Sequence, residues 1–530
     1  MRDDVTARPA GTKPAPPATG TAGASASPWM SYAVRYGPVV VPAVAVAVAG
    51  VSGLARSDSM GNDEVATRWA ALLSLRELAH LVRHVDAVHG LYYLLMHVWV
   101  LVGSSPSALR VPSIIAMAVA AGLAAVIGRK LTGSGWAGLL AGLIMALTPS
   151  ISYYAQTARS YAMVLAAVLA ATLALLHALD AEKSADRRLA NRWWIGYGAL
   201  VALSGYLNEM ALLVLAAHAT TVFFGRFDRE ILKRWALAAA CGVAVVLPLL
   251  ALSVRQHAAV SWIGRPDLAS LRTLFRDYFG PGTAASVILL ACAVVAVLPP
   301  PGEWRRPTRL SGQATLLSVA VPLLLVPAAL LLLESVIAPP LYVDRYVLYG
   351  EAGAALLAGA GAYRLGQWLA GGRPRYLTWM PGVAVCVLAL VLQLAPQHFI
   401  RTPQSRQFDF GGPSRYVAAR AQHGDGVLYS DTLFRKAELG YPADFQNVID
   451  FGAARTPLQA GNFRGTDKPF NLTRQLMLSY QRIWVIGSRP TGSVGSGLFK
   501  QESALLHSDF SLAASHHFRG IVVTLWIRRS

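Results

Sequence analysis

The 530-residue chain is 54% hydrophobic and only 14% charged, with a mean hydropathy of +0.44. Soluble domains carry roughly 25% charged residues, so lipid is the solvent for much of this chain. Its net charge of +19 would suggest nucleic acid in a soluble protein, but the basic residues fall in short loops between apolar runs, which is the pattern that orients membrane proteins; no nucleic-acid partner is expected.

Residues 1–30 are rich in Ala, Pro, Thr and Gly and cannot bury a core, so they read as a disordered cytoplasmic tail. The first apolar run covers 34–55. Further runs follow near 111–128, 135–149, 160–179, 194–207, 209–224, 235–254, 284–299, 314–337, 346–366 and 377–395. A bilayer crossing needs ~20 residues, and backbone groups in lipid must be satisfied within their own segment. The runs therefore predict about eleven transmembrane helices, some of them short.

Loop charge sets the orientation. Arg129–Lys130, Lys183 with Arg187, Arg188 and Arg192, Arg226 with Arg229, Lys233 and Arg234, Arg305 with Arg306 and Arg309, and Arg364 with Arg373 and Arg375 all fall on one side. That side is cytoplasmic by the positive-inside rule. The N-terminus joins it, and the C-terminus ends outside a multi-pass plasma-membrane protein. The stretch 88–103 is apolar enough to cross, yet a crossing there would turn all five basic loops outward. It is read as a helix at the outer surface, within a first outer loop of 56–110. Its Tyr92, Tyr93 and Trp99 suit an interface.

Beyond 396 the apolar runs shorten to 426–430, 482–488 and 520–527, with a helical stretch near 413–422. Residues 396–530 predict a small extracytoplasmic α/β domain, which leaves 31–395 as the transmembrane unit. Cys241, Cys292 and Cys386 each sit in an apolar run and read as small core residues.

Four outer segments carry candidate chemistry. Asp63-Glu64 follow the first span, where a carboxylate could deprotonate an acceptor hydroxyl; from the dipeptide alone, a solvated acidic loop is the plainer reading. Asp86 and His89 open the surface helix beside Tyr92, and taken alone an ordinary interface histidine is the better account of His89. Arg159, after Gln156, stands where a helix enters the membrane. It either snorkels or grips a phosphate through its two-pronged guanidinium. Arg345, with Tyr346, follows the same logic, and Asp344 could simply pair with it. Arg255, His257, Arg265, Arg272 and Arg276 in the outer loop 255–283 run against the orientation bias and suit an anionic lipid or phosphate. Asn208 and Glu209, in a tight outer hairpin, are further cavity candidates. No ligand cluster demands a metal; Asp63, Glu64 and Asp86 are the set that would share one. No phosphate-binding P-loop, His-Glu-x-x-His or Gly-x-Ser-x-Gly occurs.

In order and context these segments resemble the membrane glycosyltransferases of the GT-C fold, and among them the bacterial relatives of the dolichyl-phosphate-mannose protein mannosyltransferases. His-Gly-Leu-Tyr-Tyr-Leu-Leu at 89–95 is similar to that family's surface-helix His-Pro-Pro-Leu-Tyr-Tyr. Leu109-Arg110-Val111-Pro112-Ser113 opens the second span as Leu-Arg-Leu-Pro-Ser does, and Gly128-Arg129-Lys130-Leu131 closes it. The stretch 154–161 resembles Tyr-Ser-Gln-Glu-Ala-Arg-Met-Tyr, and Asp344-Arg345-Tyr346 resembles a late Arg-Tyr. The likeness is good over 34–180 and loose over 200–366; the Pro-Pro is missing, and Thr157 stands in place of a glutamate. It implies an inverting transfer of a sugar, most commonly mannose, from a polyprenyl-phosphate donor. Asp63 would be the base, assisted by Glu64, with Arg159 and Arg345 on the phosphate and Asp86, His89 and Tyr92 lining the cavity. The acceptor would be a glycan, protein, lipid or secreted metabolite. The competing readings are a transporter or flippase of a lipid-linked substrate, which would not need the carboxylate pair, and a membrane scaffold with a binding domain outside.

Overall fold

The computed structural model describes residues 28–54, 59–184, 186–298, 312–370, 378–488 and 497–529. The expected tail, up to residue 27, and the basic residues Arg305, Arg306, Arg309, Arg373 and Arg375 lie outside the described residues.

Each of the eleven apolar runs before residue 396 is helical over most of its described length. Five helices are long and apolar enough to cross a membrane: Pro106–Thr132, Tyr161–Lys183, Arg229–Arg255, Leu316–Ile337 and Met380–Phe399. Two bent pairs, Gly135–Leu147 with Pro149–Ala155 and Leu268–Phe279 with Thr283–Val297, bring the number to seven if each is one span. The remaining runs of the expected eleven are helices that are shorter or less apolar.

Small residues set the packing of this bundle, because apolar helices in lipid gain little from burial alone and rely on close contact. A Cβ on Gly138 would lie 2.3 Å from Ala125 O, and one on Gly359 would lie 2.4 Å from Ala141 N. Helices Pro106–Thr132, Gly135–Leu147 and Gly350–Ala370 thus meet nearly backbone to backbone. At Thr148 the chain turns by 68°. Pro149 cannot donate to the preceding turn, and its ring restrains the residue before it to an extended backbone. The short helix Pro149–Ala155 carries the chain sideways and delivers residues 156–160 as an irregular bend.

Over the bundle lies an outer layer of helices Asn62–Leu72, Leu75–His84 and Gly90–Trp99, topped by a five-stranded sheet. Gly90–Trp99 has 10 residues, about 15 Å at 1.5 Å per residue, half a bilayer core. It does not cross alone, and Tyr92, Tyr93 and Met96 are buried in protein. The sheet contains β1 (Asp425–Tyr429), β2 (Val448–Asp450), β5 (Arg482–Gly487), β6 (Phe510–Phe518) and β7 (Ile521–Arg528), in the order β2-β1-β5-β7-β6. β1 runs parallel to β2 and β5, while β7 is antiparallel to β5 and β6. β3 (Ala453–Arg455) and β4 (Thr466–Asp467) form a separate antiparallel pair. One apolar core joins Met60, Val65, Tyr92, Tyr93 and Leu109 to Phe410, Val417, Tyr429, Trp484 and Val523. The first outer loop and the C-terminal sheet are thus packed as one body.

Candidate active site

The helix Asn62–Leu72 begins at a cap that the Glu64 carboxylate closes. Gly61 takes an extended backbone, and its N–H donates to Glu64 Oε2 at 3.1 Å. Glu64 is buried and accepts Arg110 Nε at 2.7 Å, Arg110 Nη2 at 2.9 Å and the Ala158 N–H at 3.1 Å. Burial pushes its carboxyl up, but Arg110 and Arg406 outweigh burial and bring it to about 2. Thr67 Oγ1 donates to Ala158 O at 2.9 Å. These bonds lock the helix against the bend 156–160. Glu64, expected to assist as a base, has both carboxyl oxygens taken by Arg110, the Gly61 N–H and the Ala158 N–H.

Asp63 occupies the first turn of that helix. Its Oδ1 takes one long hydrogen bond from Asn62 Nδ2, 3.4 Å, and it makes no ion pair among the described residues. Burial raises its carboxyl, yet Arg159, Arg345 and Lys436 together hold it below the ordinary value. It is a carboxylate without a close partner, ringed by cations.

Those cations come from three separate elements. Arg159 stands in the bend, with Nη2 2.9 Å from Asp86 Oδ2 and Nη1 2.6 Å from Tyr93 Oη. Tyr93 Oη in turn donates to Asp86 Oδ2. Arg159 Nε is buried without a partner among the described residues. Arg345 lies in the 3-10 turn Asp344–Val347, its Nε donating to Tyr161 Oη at 2.9 Å. Its guanidinium packs over the rings of Tyr161, Trp262 and Tyr346 at 5.6–5.7 Å. Its two terminal nitrogens have no hydrogen-bond partner among the described residues. Asp344 does not pair with it; Asp344 Oδ2 accepts from Tyr154 Oη at 3.4 Å. Lys436, from the C-terminal sheet domain, is 6% exposed and donates to Asn62 Oδ1 at 2.7 Å. His89 is buried against Ser160 Oγ at 3.2 Å, and burial, with Arg159 adding to it, lowers its pKa to about 4. It is a neutral wall of the site at pH 7.

The structure therefore brings Asp63, Asp86, His89, Arg159, Arg345 and Tyr346 into one group. Tyr92 is fully buried behind it. Gln156 turns away: its Nε2 donates to Gly50 O and Ser52 O at 2.9 and 2.8 Å, closing the end of the first helix. Asn208 caps the turn at Met210 N, 3.0 Å, and Glu209 accepts from Ser253 Oγ at 2.5 Å. Both belong to the hairpin and have no bond to the Asp63 group among the described residues. Asp63, Glu64 and Asp86 do not converge on a common metal position, and no group of three or more metal-ligating side chains occurs among the described residues. Sequence reasoning missed Tyr93, Arg110, Tyr161 and Lys436. Arg110 is the one with a signal, an arginine at the entrance to an apolar run, where an unpaired charge is costly.

A site with one base-like carboxylate and, in Arg345, a guanidinium whose terminal nitrogens are open to an oxyanion suits transfer from a phosphate leaving group. A family model described as dolichyl-phosphate-mannose-protein mannosyltransferase matches residues 89–252. That match spans the surface helix, the Arg159 bend and the hairpin, and stops short of Asp63 and Arg345. ArnT from Cupriavidus metallidurans, a GT-C glycosyltransferase, is similar over nearly the whole chain. Its structure bound to undecaprenyl phosphate gives a TM-score of 0.58 at 13% identity, covering 92% of this chain and 98% of that one. Its apo structure gives 0.57 at 12%, covering 93% and 98%. The fold is the GT-C fold. No curated protein sequence matches the chain. Within the GT-C frame, a bundle of apolar helices carries the first outer loop, and a small sheet domain closes over it.

Proposed function

We propose that the protein is a glycosyltransferase that moves a sugar from a polyprenyl-phosphate donor to an acceptor hydroxyl at the outer face of the plasma membrane. The observation that carries this reading is Asp63, a carboxylate with no close counter-charge, facing Arg345, whose terminal nitrogens are unpartnered. The similarity to a mannosyltransferase family model and to an ArnT structure holding undecaprenyl phosphate supports the donor class.

In this reading Asp63 accepts the proton of the acceptor hydroxyl as that oxygen bonds to the anomeric carbon. The bond from that carbon to the phosphate oxygen breaks on the opposite face, so the centre inverts. Arg345 takes the departing phosphate, and Arg159 Nε is within the same group of charges. A phosphate leaving group needs charge neutralisation more than protonation, which matches arginines and a neutral His89. Donor binding also prepares the base: a bound phosphate offsets the cations that depress Asp63, so its basicity rises once the donor is present. Glu64 and Arg110 set the angle of the helix, and Asp86 sets Arg159. The N-terminus lies in the cytoplasm and the C-terminal domain outside.

The test is transfer by purified protein in nanodiscs, with radiolabelled polyprenyl-phosphate mannose first and other polyprenyl-phosphate sugars after it. Wild type turns over; Asp63→Asn falls at least ~100-fold, the scale of a lost general base. Full activity in Asp63→Asn removes Asp63 as base, and absence of donor binding in wild type removes the donor class.

A further inference from the structure

Lys436 stands where fold stability would not place a cation. It is buried at the N-terminus of helix Asn62–Leu72, the positive end of that helix's dipole. Arg159 and Arg345 face the same carboxylate. Its bonds are one good donation to Asn62 Oδ1 and a long one, 3.4 Å, to Asn62 O. Its Nζ also lies 5.3 Å over the Phe463 ring, and no carboxylate lies within ion-pair distance among the described residues. Burial drives its pKa down to about 8 against the pull of Asp63. A methionine would fill the same volume without a buried charge.

Its origin in the fold is specific. Lys436 follows the loop that leaves the carboxyl end of β1. There β1 lies between β2 and β5 in a parallel stretch, and the connections from β1 and β5 depart to opposite sides. Open α/β sheets present functional groups from that crevice. The short helix Lys436–Gly440 packs on Asn62–Leu72, Arg68 Nη1 donates to Gly440 O at 3.1 Å, and the Met60 N–H donates to Tyr441 Oη at 2.7 Å.

We propose that Lys436 is a positioning residue: it holds Asn62, and through it the first helical turn, so that Asp63 faces Arg345 and the donor. The C-terminal sheet domain is thereby part of the catalytic apparatus and not a detachable acceptor module. The inference rests on the glycosyl-transfer reading of the Asp63 site.

The test uses the full chain in nanodiscs with Lys436→Met, Lys436→Gln, Asn62→Ala and the Lys436→Met/Asn62→Ala double variant. Lys436→Met lowers kcat about 10- to 100-fold, as a small misplacement of a reacting group does, while KM for the polyprenyl-phosphate sugar stays within about twofold. Gln still donates to Asn62 Oδ1 and restores most of the rate. The double variant is no worse than Lys436→Met, because both losses travel through one contact. Unchanged kcat in Lys436→Met, or losses that multiply in the double variant, overturn the proposal. Hydrogen exchange of the amides of 63–67 gives a second readout that needs no turnover. Exchange rises in Lys436→Met and not in Lys436→Gln; equal protection in all variants overturns the proposal. If wild type transfers no sugar from any polyprenyl-phosphate donor, the glycosyl-transfer reading fails, and the exchange result alone decides whether Lys436 orders the helix.

Discussion

Arg159 Nη2 and Asp86 Oδ2 lie 2.9 Å apart although 73 positions separate the two residues in the chain. Asp86 reaches this place from a left-handed backbone, φ 60°, which Asp tolerates better than most residues. The pair and Tyr93 occupy both terminal nitrogens of Arg159, whereas those of Arg345 are open.

The two arginines should therefore respond differently. Arg345→Ala should weaken competition by undecaprenyl phosphate about 10- to 100-fold, or about 1.4–2.7 kcal/mol, in the range of a charged hydrogen bond. Arg159→Ala should mainly lower thermal stability, because it leaves Asp86 buried and unpaired. Binding by competition and melting in detergent separate the two effects.

The pH dependence of the rate should reveal the base. The free enzyme holds Asp63 below its ordinary value, so kcat/KM should persist into acid and fall only as that carboxylate protonates. With the donor phosphate offsetting the cations, the acid limb of kcat should lie at higher pH than that of kcat/KM. Coincident limbs would remove the coupling between donor charge and base.

Glu64 and Arg110 form a buried two-pronged pair. Glu64→Gln strips the counter-charge from Arg110 and should cost about 3–5 kcal/mol. Adding Arg110→Met should recover much of this loss, since a neutral pair has no orphaned charge. Thermal unfolding of the four combinations gives the coupling. The stabilising contribution of ionised Glu64 is complete above its unfolded pKa and is lost as the pH falls through about 2.

His89 carries the opposite cost. Its pKa falls from 6.5 unfolded to about 4 in the folded chain. The unfolded state therefore binds the extra proton between these values, and stability declines as pH drops from 6.5 toward 4. The total is about 3 kcal/mol at 1.36 kcal/mol per unit. His89→Asn should flatten the melting temperature across that window. An unchanged slope would assign the acid sensitivity to another group.

The helical bundle was legible because lipid leaves the backbone no alternative to intra-segment bonding, so each apolar run had to become a helix. Loop parity argued against Gly90–Trp99 as a span, and its length of 10 residues is too short to cross alone. The site was legible only where a charge stood against an apolar background, as at Arg159, or on a cap, as at Asp63. Glu64 and Asp63 are neighbours of the same type, and only the direction of the helix separates a buried strut from an open carboxylate. Gln156 was misleading because its partners are main-chain carbonyls at 50 and 52, which sequence cannot display. Lys436 lay outside reach because 374 positions separate it from Asn62, and nothing local to a lysine announces such a contact. β6 was missed for a related reason: its residues are mostly exposed and lack the apolar alternation that marks a half-buried strand.

The mixed core that binds Met60 and Val65 to Trp484 and Val523 has a consequence for biogenesis. Synthesis runs at roughly 5–20 residues per second, so the early half of that core must wait tens of seconds for the late half. During this interval the helix bearing Asp63 has no Lys436 and only part of its apolar support. On the proposed glycosyl transfer and the proposed role of Lys436, a nascent chain is silent toward lipid-linked sugars until its final strands are made, and a prematurely terminated one stays silent, with an unfilled apolar face.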